Sequence, residues 1–210
     1  MRIVAARELQ DWLAHGTVLE KDSRGPKVVL LPDGLIFKVF HNRRRRWLAR
    51  ISPAAKRFAR NAGTLDSLGI PAPTIVETLW LDREKGLSAC TYRPLPGTSL
   101  EALLRENPAE IENLIPALAT FILRLHRNGI YFRSLHLGNL LSLPEGGFGL
   151  IDFLDLVKKR RRLNGWEAKR NFNHLRRYLE RRKITNFPID RLTEMYSTAA
   201  RNLQPPSSDR

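Results

Sequence analysis

The sequence predicts an α+β protein of two lobes, an N-terminal antiparallel sheet with one helix followed by a mostly helical C-terminal half. Three observations predict it. Short strand-like apolar runs crowd the first half, a Pro-Asp-Gly turn joins two of them, and the second half carries long apolar repeats at helical spacing.

Taken in order, Arg7 to Ala14 reads as a short amphipathic helix, with Leu9, Trp12 and Leu13 on one face. Thr17 to Glu20, Lys27 to Leu31 and Leu35 to Phe40 read as three strands of a meander. Pro32-Asp33-Gly34 supplies the turn between the last two. The third strand carries a lysine, Lys38, among apolar neighbours. A basic helical stretch from about Arg43 to Leu68 follows, with Pro53 as a break or first-turn residue, and Gly69-Ile70-Pro71 stops it. Thr74 to Leu81 and Leu87 to Tyr92 are two further strands, the second holding the single cysteine, Cys90, as a core residue. The loop Arg93 to Thr98 leads to a helix capped by Ser99. Pro108 to His126 is a long helix with Ile111, Ile115, Leu118 and Ile122 on its apolar face. After a compact region from Gly129 to Leu156 come helices over Trp166 to Arg181 and Ile189 to Leu203. The expected organisation is therefore a first lobe over 1–92, a hinge over 93–98, a helical lobe over 99–203 and a tail over 204–210.

Composition narrows the function. One cysteine excludes an intramolecular disulfide and a cysteine-rich zinc site. No run reaches the ~20 apolar residues that span a bilayer. The first residues turn charged at once, unlike a secretory signal, so a cytoplasmic location is expected. Thirty-six Lys and Arg against 21 acids leave a net charge of +15, which calls for an anionic partner: nucleic acid, a membrane face or a phosphorylated substrate. Nucleic acid is disfavoured, because no aromatic platform or helix-turn-helix pattern accompanies the charge.

The chemistry concentrates in Leu135-His136-Leu137-Gly138-Asn139-Leu140-Leu141 and, after Pro144-Glu145-Gly146-Gly147, in Leu150-Ile151-Asp152-Phe153. If the two apolar runs pair across the turn, the Asn139 amide and the Asp152 carboxylate converge, and such a hard-oxygen pair suits Mg²⁺ bridging nucleotide phosphates. Residue types alone leave other roles open. Lys38 fits an edge strand with its amine in water, Asn139 a turn, Asp152 a cap, and His136 a buried structural histidine.

This stretch resembles the HGDLHxxNLL…IDF signature of the aminoglycoside-phosphotransferase-like and lipopolysaccharide-core (Kdo/heptose) kinases, which share the protein-kinase fold. The run from Asn164-Gly165-Trp166 through Asn171-Phe172 to Leu175-Arg176-Arg177-Tyr178-Leu179 is similar to a segment of the kinases that act on Kdo. The resemblance spans roughly residues 15 to 185. It implies ATP and Mg²⁺ as cofactors, Asn139 and Asp152 as metal ligands, Lys38 on the nucleotide phosphates, and Tyr92 and Arg93 at the adenine. It also implies His136 as support for the loop, and an inner-core sugar of lipopolysaccharide as substrate. Two positions depart from the pattern. Ser134 fills the slot of the catalytic Asp, which makes Asp155 the candidate base. No acid lies between Val39 and Leu65, where the helical partner of the lysine belongs, and Asn61 falls near that slot. The departures open a second reading, a pseudokinase that binds nucleotide or a partner without efficient transfer. By themselves the basic runs Arg43 to Arg46 and Lys158 to Arg162 read as solvated faces or nucleic-acid tracts. In a lipopolysaccharide kinase they would lie against phosphorylated core or anionic lipid at the inner face of the inner membrane, with Trp47 either an interfacial anchor or a core residue.

Overall fold

A computed structural model describes residues 1–41 and 51–202. The chain forms two compact units, Met1–Leu95 and Pro96–Arg210. The basic run Arg43 to Arg46 and Trp47 lie outside the described residues.

The first unit is built on a six-stranded sheet, β1 (Arg2–Ile3), β2 (Thr17–Asp22), β3 (Gly25–Leu30), β4 (Ile36–Phe40), β5 (Thr74–Asp82) and β6 (Leu87–Arg93), in the order β1-β5-β6-β4-β3-β2. The meander β2-β3-β4 is antiparallel as its turns require. At Pro32-Asp33-Gly34 the chain closes with Leu31 N–H to Leu35 O at 2.8 Å, and Asp33 accepts from Leu35 N–H. The sheet is not wholly antiparallel: β1 runs parallel to β5. Two residues carry no periodicity to read, so nothing local in the sequence announces this strand.

Alternation along the strands gives the sheet two faces. Val29, Phe37, Val39, Leu79 and Ala89 pack with Leu9, Trp12 and Leu13 of α1 (Ala6–His15). The Trp12 and Phe37 rings meet at 5.0 Å between centroids, tilted by 53°. On the other face, Phe40 meets Phe58 of α2 (Ala54–Ser67) at 5.3 Å between ring centroids. The first turn of α2 has no side-chain cap of its own, and Ser88 of β6 accepts from Ala55 N–H instead. The unit thus has two described helices, α1 and α2.

The second unit is mainly helical: α3 (Leu100–Glu106), α4 (Pro108–Arg127), α5 (Gly165–Arg182) and α6 (Ile189–Asn202). Ser99 caps α3 by accepting from Ala102 N–H at 3.2 Å. Pro108 opens α4, where its missing N–H costs nothing. A capping box holds the start of α5: Asn164 accepts from Glu167 N–H at 2.9 Å and Glu167 accepts from Asn164 N–H at 3.0 Å. Small sheets join these helices. β7 (Thr98–Ser99), β9 (Leu140–Ser142) and β10 (Phe148–Leu150) form one, and β8 (Ile130–Phe132) with β11 (Leu156–Lys158) forms another.

A buried hydrogen-bonded chain ties the helices together. Asn171 of α5 donates to Phe132 O, so its Oδ1 faces His126 Nε2 at 3.0 Å, and Tyr196 of α6 lies 2.8 Å from His126 Nδ1. These partners fix the ring: Nε2 carries the proton and Nδ1 accepts from the tyrosine. Among the described residues no helix is long and apolar enough to cross a membrane.

Candidate active site

In the first unit the lysine is not on an edge. β4 lies between β3 and β6, and Lys38 is only 6% exposed. Its ammonium sits 5.4 Å from the Phe58 ring centroid and 6.0 Å from that of Phe40. Burying an ammonium this far is costly unless it meets compensating partners. Phe58 also approaches Tyr92, at 6.0 Å. Strand register pairs Lys38 with Cys90 and Ile36 with Tyr92, so Lys38 and Tyr92 share the α2 face of the sheet. Arg93 does not join them: one residue on, at the end of β6, it falls on the opposite face and is exposed. Asn61 lies one turn after Phe58 on the buried face of α2, on the side from which Phe58 reaches the lysine. Cys90 is fully buried, and burial pushes its thiol up to about 12, which makes it inert core. The turn at Asp22 to Gly25 is closed by Asp22 accepting from Arg24 N–H.

In the second unit, the two apolar runs do pair. β9 and β10 are antiparallel with Leu140 opposite Leu150, and Ile151 N–H donates to Asn139 O at 3.0 Å. The register therefore sets Asn139 and Asp152 at the same open end of one hairpin. Asp152 adopts a left-handed backbone, φ 51°, a conformation that Asp tolerates better than most residues and that signals a held position.

Asn139 is oriented from two sides. Its Nδ2 donates to Ser134 O at 3.1 Å and lies 3.1 Å from His136 Nε2. With both amide hydrogens engaged, Oδ1 is left to face a cation. His136 accepts at Nε2, so its proton is on Nδ1, which is buried without a partner among the described residues. Burial lowers the His136 pKa, in keeping with a neutral ring that accepts. The ring is stacked on Tyr178 of α5, 4.3 Å between centroids and 6° from parallel. Tyr178 O–H donates to Glu101 of α3, which also accepts from Arg182 at 2.8 Å. Burial would raise the Glu101 carboxyl, but the Tyr178 and Arg182 donors outweigh it and hold the pKa low. A Cβ at Gly138 would crowd this cluster, at 3.0 Å from Glu101 Oε2 and 3.4 Å from His136 Nδ1. His136 thus helps to orient the Asn139 amide. Its supports, Tyr178 and Glu101, went unread in the sequence because they lie on other helices.

Ser134 donates through Oγ to Asp155 Oδ2 at 2.7 Å. Burial raises the Asp155 pKa against the Ser134 hydrogen bond and nearby Arg133, with Asp152 adding to the rise. Its second oxygen is buried and has no hydrogen-bond partner among the described residues. The serine in the slot is therefore coupled to a carboxylate 21 residues away.

The basic run Lys158 to Arg162 is only partly a free surface. Lys159 and Arg161 both pair with Glu167, holding this buried carboxylate far below its ordinary pKa. Lys158, Arg160 and Arg162 stay exposed. Trp166 is 66% exposed, with the Arg170 guanidinium 5.2 Å over its ring.

The model of the lipopolysaccharide kinase (Kdo/WaaP) family matches residues 32–196. The chain belongs to this family. No curated protein matches it. The family match begins at the β3–β4 turn and runs into α6, so it takes in Lys38 and the whole loop from Ser134 to Asp155. As a member of the lipopolysaccharide kinase family the chain has the mixed α+β architecture of a kinase-like fold, six strands first and helices after.

Proposed function

We propose that this family member is an ATP- and Mg²⁺-dependent phosphotransferase that phosphorylates a sugar hydroxyl in the inner core of lipopolysaccharide. The observation that carries the reading is the β9–β10 hairpin, whose register puts Asn139 and Asp152 together beside the hydrogen-bonded Ser134 and Asp155. Two hard oxygen donors fit Mg²⁺, which keeps waters and phosphate oxygens as its other ligands. Bound there, the ion would neutralise charge that develops on the transferred phosphoryl group. Lys38 serves the nucleotide phosphates and Tyr92 the adenine; Arg93, on the opposite face, serves neither through its side chain.

The acceptor hydroxyl oxygen bonds to the γ-phosphorus, the bond from that phosphorus to the β–γ bridging oxygen breaks, and ADP leaves. The acceptor proton passes to Asp155, directly or through Ser134 Oγ, which accepts it while giving its own proton to Oδ2. Burial makes Asp155 a stronger base than an ordinary aspartate, the direction general-base catalysis needs. Partners are lipopolysaccharide core and an anionic membrane surface, reached from the cytoplasmic side, where exposed Lys158, Arg160 and Arg162 and the net charge of +15 favour contact.

Ser134 in the base slot and Asn61 in the slot of the helical Glu favour a second reading, a pseudokinase of the same fold. Transfer of radiolabelled γ-phosphate from ATP to purified core acceptors separates them. Transfer that disappears in Asp152→Ala supports the first reading. Mg²⁺-dependent nucleotide binding with no transfer to any core acceptor leaves the second.

A further inference from the structure

The second unit contains a cavity of about 910 Å³ that shares no residue with the loop from Ser134 to Asp155. Its walls come from the end of α4, the segment before α5, and one face each of α5 and α6. Five cations line it, Arg127, Arg161, Arg162, Lys169 and Arg176, and no carboxylate does. Two are already neutralised, Arg161 by Glu167 at 2.7 Å and Arg176 by Asp190 at 2.8 Å. Arg127, Arg162 and Lys169 have no carboxylate partner among the described residues. Three like charges around one hollow repel each other, and an anion in the hollow relieves that repulsion.

The floor is of another kind. Phe172 and Tyr196 meet edge to face at 4.9 Å and line the cavity together. Thr193, Ser197 and Tyr196 on α6 bring hydroxyl oxygens, and Asn173 on α5 brings an amide. The hydroxyls of Thr193 and Ser197 donate to carbonyls of their own helix, which leaves their lone pairs to accept. Gly165, at the first turn of α5, has open space where a Cβ would be, so a ligand could approach the helix N-terminus closely. Cations for a phosphate, aromatic surface for the C–H face of a ring and hydroxyl acceptors for its hydroxyls make up one ligand chemistry. The volume is that of a small-molecule site.

We propose that this cavity is a second ligand site, separate from the catalytic loop and independent of the phosphotransferase reading, that binds a phosphorylated sugar. The sugar phosphate is either a soluble ester or the headgroup of a glycolipid, and the two sources are separable. Isothermal titration and thermal shift of the full chain would use glucose 6-phosphate, glucose, inorganic phosphate, and phosphatidylcholine vesicles with and without phosphatidylinositol 4-phosphate. Glucose 6-phosphate should bind about tenfold tighter than phosphate, glucose should not bind, and binding should weaken as salt rises. The double variant Arg162→Ser/Lys169→Ser should lose about tenfold or more in affinity. Both residues are exposed, so its melting temperature without ligand should match that of wild type. Thr193→Val/Ser197→Ala should erase the advantage of the sugar ester over phosphate, and Asp152→Ala should bind as wild type does. Vesicle recruitment that soluble glucose 6-phosphate competes away assigns the site to a glycolipid headgroup; soluble binding without recruitment assigns it to a free ester. The proposal is overturned if neither phosphate-bearing sugar binds, if phosphate alone binds as well, if the double variant binds unchanged, or if Asp152→Ala abolishes binding.

Discussion

His126 gives the second unit a pH-dependent stability that can be worked through. The ring is 2% exposed, and burial lowers its pKa to about 4 from the ordinary 6.5, with the Asn171 hydrogen bond opposing the shift. Its partners do not titrate in this range: Asn171 has no charge, and burial pushes Tyr196 up to about 12. No carboxylate touches the ring among the described residues. In the unfolded chain the histidine takes its proton near 6.5, whereas in the folded chain it does so only near 4. Between those values the unfolded state holds more protons, so stability rises with pH and is lost as the pH falls through the window. At about pH 4.5 the loss relative to about pH 7.5 is about 2.5 kcal/mol from this residue alone. His136 and His174 shift in the same direction and add to the wild-type slope, while Glu101 and Glu8 act lower, below the usual carboxylate range. The comparison of wild type with His126→Gln isolates the term. Urea unfolding across this range should show a roughly constant cost for the variant near neutrality, from the lost ring packing, and a difference that shrinks by about 2.5 kcal/mol by about pH 4.5. Parallel curves for the two proteins would refute a buried neutral His126.

Asp155→Asn should lower transfer to a core acceptor by about 10²–10⁴-fold with nucleotide binding kept. Ser134→Asp should be neutral or harmful, because it sets a second carboxylate against Asp155; a tenfold gain in rate would show that Asp155 is not the base. Tyr178→Leu removes the plane on which His136 lies, so kcat should fall about tenfold or more while the KM for ATP holds, since misplacement rather than lost contact is at issue; an unchanged kcat would free His136 of that support. Gly129→Ala should destabilise by about 3 kcal/mol in urea unfolding, because φ is +69° and a Cβ would lie 2.6 Å from Lys159 O and against Arg161 O; a loss below about 1 kcal/mol would mean that the strand β11 exit can shift.

The sequence by itself determined what is local. The turn at Pro32 to Gly34, the two strands it joins, the Ser99 cap and the apolar face of α4 each depend on neighbours within a few residues, and each stands where it was expected. The chemistry-bearing stretch was legible too, since Asn139 and Asp152 needed only a short hairpin to meet. Tertiary structure decided the rest. The parallel pairing of β1 with β5 joins Arg2 to Leu79, too far along the chain and too short for any periodicity to show. Lys38 is buried because β4 is central, and strand order is not written in the strand itself. That Tyr92 and not Arg93 takes the α2 face follows from register with β4. Ser134 meets Asp155, and His136 meets Tyr178, across stretches of chain whose closure depends on how helices and small sheets pack. Two of the five cations of the basic run before α5, Lys159 and Arg161, pair with Glu167 for the same reason: a charge run records only side chains, and whether they meet a carboxylate or water depends on what the fold brings beside them.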